Sequence, residues 1–185
     1  MDIRKRILRM VLGTAILLAG QLFAAIPVSA GQTPVMIDQR GRAFTFASLR
    51  GMPVAVTFIA AHCKDACPLI NAQFAQASKE FERDGMHVRL LTITLDPEHD
   101  PPSVMRGVAR RFDADPRRWL VAGGSVRDVH RIMDAFGVTA EQGEHGYAEV
   151  HTTFVYILDG SGRLRKTMLA SAQLAAQLAD EVRRK

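Results

Sequence analysis

The chain has 185 residues, 48% hydrophobic and 23% charged, which is enough apolar material for the core of one domain. Its formal charge is +5, but four of the 24 basic and one of the 19 acidic side chains lie in residues 1–30, leaving 20 against 18 elsewhere. A remainder so balanced argues against the concentrated basic face that nucleic-acid binding demands, and no internal repeat or low-complexity tract interrupts it.

Taken in chain order, residues 1–30 have the pattern of an export signal. Arg4, Lys5, Arg6 and Arg9 form a positive lead, Met10 to Val28 is apolar apart from Thr14 and Gln21, and Val28-Ser29-Ala30 suits cleavage after Ala30. An uncleaved anchor is the alternative, because residues 10–28 approach the roughly 20 residues that cross a bilayer. Gly13, Gly20 and Pro27 weaken that alternative. Both versions put residues 31–185 outside the cytoplasmic membrane, in the periplasm or on the membrane's outer face. No cysteine near residue 30 invites a lipid.

Val35 to Ile37 and Ala43 to Phe46, split by Asp38-Gln39-Arg40-Gly41, predict a small hairpin. Val54 to Ile59 is a continuous apolar run rich in β-branched residues, the mark of a strand buried on both faces. After Ala60-Ala61-His62 the spacing turns helical from about residue 65 to Arg83, with Ile70, Phe74, Ala77 and Phe81 on one face. Val88 to Thr94 is a second buried strand. A polar loop over residues 96–102 follows, then a helix over Ser103 to Phe112 and a short strand over Trp119 to Ala122. Ser125 caps a helix carrying Val129, Ile132, Met133 and Phe136. Residues 137–149 form a longer loop. Thr152 to Leu158 is a third strong strand, joined through Asp159-Gly160-Ser161-Gly162 to a partner over Leu164 to Met168. A last amphipathic helix spans Ala172 to Val182.

Strands separated by helices imply parallel crossovers, and the last two strands imply an antiparallel hairpin. The sum is an α/β, thioredoxin-like fold with an N-terminal β-hairpin and an inserted helix-strand segment. One domain covers residues 31–185.

The only cysteines are Cys63 and Cys67. A disulfide between them would close a loop too short to stabilise much, so the pair is placed for chemistry rather than stapling. One helical turn puts their Cα atoms about 6 Å apart, within reach of a disulfide or of a shared metal ion. The helix N-terminus, with Lys64 alongside, favours thiolate over thiol. Two soft sulfurs suit copper(I) and also zinc. Copper(I) accepts three ligands where structural zinc normally takes four, so one neutral nitrogen would complete a copper site. Among six histidines, His62 adjoins Cys63 but aims its ring elsewhere, and His87 and His130 belong to surface or packing positions. His99 lies in the polar loop, and His145 is the reserve candidate. His151 stands at the loop-to-strand junction that faces the cysteine helix in such a fold; a buried structural histidine is its alternative role.

Three segments in this order resemble the Sco/SenC family of copper chaperones: His62-Cys63-Lys64-Asp65-Ala66-Cys67-Pro68, Thr94-Leu95-Asp96-Pro97-Glu98-His99-Asp100, and Val150-His151-Thr152-Thr153 leading into Phe154 to Asp159. The resemblance runs from about Val35 to the C-terminus. It implies copper ligation by Cys63, Cys67 and His151, with Asp96 supporting the site or a partner contact. It also implies a client, the binuclear copper centre of cytochrome c oxidase subunit II or another copper enzyme, and a periplasmic thiol reductant. The chain departs from the family pattern at Phe58 to Ala61, at Lys64 and at Pro101, which spares these three residues and touches the partner surface. A thiol:disulfide oxidoreductase, with Cys63 attacking and Cys67 resolving, is the competing function. A peroxidase and a purely structural disulfide are weaker alternatives.

Overall fold

The computed structural model describes residues 33–184 other than 65, 144, 145, 152 and 153, and of residues 142 and 149–151 it describes the backbone alone. The expected export segment, His145 and the His151 side chain therefore lie outside what is described.

The N-terminal hairpin is β1 (Met36–Asp38) and β2 (Ala43–Phe44), followed by a short 3-10 turn over Phe46–Leu49 that the sequence did not announce. Then come β3 (Val54–Ile59), α1 (Ala66–Arg83), β4 (Arg89–Thr94), α2 (Pro102–Arg111), β5 (Trp119–Gly124) and α3 (Val126–Phe136). A small hairpin of β6 (Ala140–Gln142) and β7 (Ala148–His151) leads into β8 (Phe154–Leu158), β9 (Leu164–Leu169) and α4 (Leu174–Arg183). Seven strands form one sheet in the order β2-β1-β5-β4-β3-β8-β9, while among the described residues β6 and β7 pair only with each other.

Every residue of β3 is buried, because both faces of the sheet are covered. Ala55 and Ile59 pack with Ile70, Phe74 and Phe81 of α1 and with Leu174 and Leu178 of α4. Val54, Val56 and Phe58 pack on the other face with Val129, Ile132 and Met133 of α3. The period of two along the strand and of three to four along the helices is what the sequence pattern required. Gly124 admits β1 at the sheet's side: a Cβ there would meet the Val35 carbonyl oxygen at 2.9 Å.

Two expectations change. β3, β4 and β5 run parallel, but β8 is antiparallel to β3, with Val54 opposite Leu158 and Thr57 opposite Val155. The chain after α3 therefore returns to the far end of β3 before entering β8. The loop expected over residues 137–149 also contains strand pairing. Its segments, Ala-Glu-Gln and Ala-Glu-Val-His, are three and four residues long, too short for alternation to mark a strand. Among the described residues no helix is long and apolar enough to cross a membrane.

Candidate metal centre

The two cysteines sit beyond the C-terminal end of β3, where loops of an α/β sheet gather functional groups. After Ile59 the chain turns, and the Cys63 N–H donates to the Ala60 carbonyl at 3.2 Å. Cys67 lies in the first turn of α1, with Pro68 next to it where a missing N–H costs little. Neither cysteine is in a disulfide; Cys63 is half-buried and Cys67 buried. The Cys67 thiol donates to the Cys63 sulfur, an interaction that favours its protonated form. The pair opens onto a narrow cleft closed on its other side by Val108, Arg111 and Phe112 of the α2 end.

A buried polar chain fixes the cysteine turn to the sheet. Trp119 Nε1 on β5 donates to Thr92 Oγ1 on β4 at 3.0 Å, that hydroxyl donates to Asn71 Oδ1 at 3.2 Å, and Asn71 Nδ2 donates to the Cys67 carbonyl at 3.0 Å. Asp100 does the same for the loop before Cys63: its Oδ2 accepts the Ala61 N–H at 2.9 Å and the Thr94 hydroxyl at 2.8 Å.

These surroundings overturn the expectation of a thiolate pair at Cys67. Burial pushes its thiol up to about 12; the Ala60 N–H opposes this, and Cys63 and the Asp100 charge add to it. Desolvation outweighs the helix N-terminus, so Cys67 rests as a thiol at neutral pH. Burial also raises the Asp100 carboxyl above its ordinary value, against the hydrogen bonds from Ala61 and Thr94.

Asp96 is buried and tied to the β6–β7 hairpin. Its Oδ1 meets His99 Nδ1 at 2.8 Å, its Oδ2 accepts the Ala148 N–H at 3.2 Å, and His62 Nδ1 lies 3.8 Å from Oδ2. That His62 nitrogen is buried with no hydrogen-bond partner.

Among the described residues no group of three His, Cys, Asp or Glu side chains could hold a metal ion. The two sulfurs supply a soft, paired donor set that fits copper(I), and a third donor has to come from elsewhere. The backbone brings His151 to this end of the sheet, since β8, which follows it, begins where β3 ends.

A sequence model of SCO1/SenC proteins matches residues 29–185. The chain belongs to the SCO1/SenC family. A bovine relative, the mitochondrial SCO2 homolog, is 30% identical over 155 residues, covering 80% of this chain and 57% of that protein. The chain thus spans a little over half the length of that relative. Among solved structures, Bradyrhizobium japonicum ScoI with copper bound is similar at a TM-score of 0.71 and 24% identity, over 83% of this chain and 99% of that one. BsSco, described as a cytochrome c oxidase assembly protein with a disulfide switch, is similar at a TM-score of 0.69 and 19% identity, over 80% and 88%. These likenesses establish the thioredoxin-like Sco fold.

Within this SCO1/SenC chain the structure unites Cys63 and Cys67 and sets Asp96 near His62, the residue before Cys63. His87 is exposed before β4, at the opposite end of the sheet, and His130 is exposed on α3. His62 turns its ring to Asp96 and Tyr147, as its position beside Cys63 implied. Sequence reasoning missed Asn71, Asp100 and Tyr147. Asn71 had a signal: it is an amide next to Ile70 on the apolar face of α1. Tyr147 had none.

Proposed function

We propose that the chain is an exported copper chaperone that holds one copper ion through Cys63, Cys67 and His151. It would deliver that ion to a membrane respiratory enzyme, the binuclear copper site of cytochrome c oxidase subunit II. The observation that carries this reading is the contact between two reduced sulfurs at the mouth of a cleft, in a chain of the SCO1/SenC family. The copper in Bradyrhizobium japonicum ScoI supports it. Copper is the cargo. Its charge would displace the proton that burial keeps on Cys67, because a coordinating thiol is deprotonated outright. Client thiolates would then replace Cys63 and Cys67 one at a time, the half-buried Cys63 first.

The test is a copper(I) titration of the reduced protein against a competing chelator. It should bind one copper per chain, and His151→Ala should weaken binding by at least about tenfold while Cys63 and Cys67 still form their disulfide. Equal affinity in the variant would remove His151 from the ligand set.

A second reading is a thiol:disulfide oxidoreductase that keeps client cysteines reduced, with electrons from a periplasmic thiol reductant. The asymmetry of the pair favours it: Cys63 is the more accessible for attack, and the buried Cys67 is placed to resolve the mixed disulfide once it gives up its proton. Under that reading either cysteine is essential and His151 is dispensable. Export through residues 1–30 belongs to the same proposal. It predicts a periplasmic protein beginning near residue 31, or a membrane-associated one retaining residues 10–28, distinguished by fractionation and N-terminal mass.

A further inference from the structure

Tyr147 is more than a third exposed, at 39%, yet its ring is gripped on two sides. Its centroid lies 4.5 Å from that of His62 and 4.4 Å from that of His99. The two imidazoles are in turn brought together by Asp96, bonded to His99 Nδ1 and 3.8 Å from the unpartnered His62 Nδ1. The next residue, Ala148, donates its N–H to the same carboxylate. Tyr147 also closes the hairpin tip, its carbonyl accepting the Gly143 N–H at 2.9 Å. Four side chains from three segments therefore clamp the tip of the β6–β7 hairpin to the residue just before Cys63.

The clamp has a geometric consequence. Among the described residues β6 and β7 pair with no other strand, so no ladder hydrogen bonds tie the hairpin to the main sheet, and it rests on the sheet through the packing of Ala148 and Ala140 against the core. A further attachment is the entry to β8, where the Phe154 carbonyl accepts the Thr57 hydroxyl at 3.2 Å. His151 lies midway, three residues after Ala148 and three before Phe154. With the tip clamped, His151 follows a segment anchored at Tyr147 and Ala148; without the Tyr147 ring, that anchor is reduced to the packing of Ala148 and its bond to Asp96.

We infer that Tyr147, seated between His62 and His99 over Asp96, is a positioning residue that preorganises the third copper ligand. The inference rests on the copper reading for His151, and its mechanical part, the clamp itself, stands apart from it. Preorganisation raises affinity by removing the cost of ordering a segment on binding. Aromatic contacts of this kind are individually weak, too little to hold the fold and enough to steady a hairpin tip.

The experiment compares Tyr147→Ala and Tyr147→Phe with the parent in two measurements. In metal-free protein, hydrogen exchange should quicken in Tyr147→Ala at the Ala148 and Gly143 amides and stay unchanged in the β3–β4 amides; Tyr147→Phe, which keeps the ring, should restore the parent's protection. In the copper(II)-loaded protein, Tyr147→Ala should shift the sulfur-to-copper charge-transfer band and lower affinity by about tenfold, and the phenylalanine variant should reverse both. Unchanged exchange in Tyr147→Ala would overturn the clamp. Faster exchange with an unmoved band and affinity would overturn the positioning role. His151→Ala run alongside separates the two ideas: if it leaves the band and affinity unmoved, the copper reading for His151 fails, and the positioning role with it, while the exchange data still decide the clamp.

Discussion

A single carboxylate oxygen holds the cysteine loop, and its charge adds to the burial that keeps the proton on Cys67. Asp100 Oδ2 accepts from both the Ala61 N–H and the Thr94 hydroxyl. An asparagine carries an oxygen that can do the same without a buried charge. Asp100→Asn should therefore stay within about 1 kcal/mol of the parent at neutral pH, whereas Asp100→Ala strands two buried donors and should cost about 1–3 kcal/mol or more. The pH dependence has a definite sign. Burial raises the Asp100 carboxyl above 3.8, so its favourable contribution is complete below that value and is lost as pH rises through the folded pKa. Urea unfolding from pH 4 upward should show Asp100→Asn gaining on the parent. Because the Asp100 charge helps raise Cys67, the same variant should lower the pH at which thiolate absorbance of Cys67 appears. A variant that titrates like the parent would separate Asp100 from the thiol.

At the scale of elements, α1 is oriented on the sheet by more than its apolar stripe. The stripe of Ile70, Phe74, Ala77 and Phe81 fixes which face is buried but tolerates small slides along the axis. The chain from Trp119 through Thr92 and Asn71 to the Cys67 carbonyl does not. Asn71→Leu would bury a side chain of similar size and leave the Thr92 hydroxyl without an acceptor at that point. It should cost about 1–3 kcal/mol and loosen the Cys67 turn, read as faster alkylation of Cys67 in the reduced protein. Unaltered Cys67 reactivity at reduced stability would confine the chain to a structural role. Legibility follows the same division. The strands β3, β4 and β8 and the helices α1 and α3 were evident because each buries a long periodic face. Cys63 and Cys67 were evident because nothing else explains two cysteines so close. The β6–β7 hairpin was not, since its strands are only three and four residues long and its tip is tied to Asp96, His62 and His99 from elsewhere in the chain. Nor was the Cys67 proton, because the desolvation that sets it comes from packing that spacing alone does not reveal.

For the whole molecule, the question is whether the redox state of the pair reaches beyond the site. The core is two apolar layers on either face of one sheet, and neither layer depends on a bond between Cys63 and Cys67, which are not joined as a disulfide. Closing five residues into a loop removes little entropy from the unfolded chain; the loop-length relation gives about 2 kcal/mol. That is a minor share of the roughly 5–15 kcal/mol by which domains are stable. Oxidation should therefore move the urea midpoint upward by at most that amount, leave the denaturant slope unchanged, and preserve the far-ultraviolet circular dichroism spectrum. Such independence matters to the proposed role: a carrier has to remain folded while its sulfurs are metal-bound, empty or joined. A large loss of stability on reduction, or a changed slope, would mean that the disulfide organises the fold, and a carrier working through the reduced pair would then have to act from a partly unfolded state.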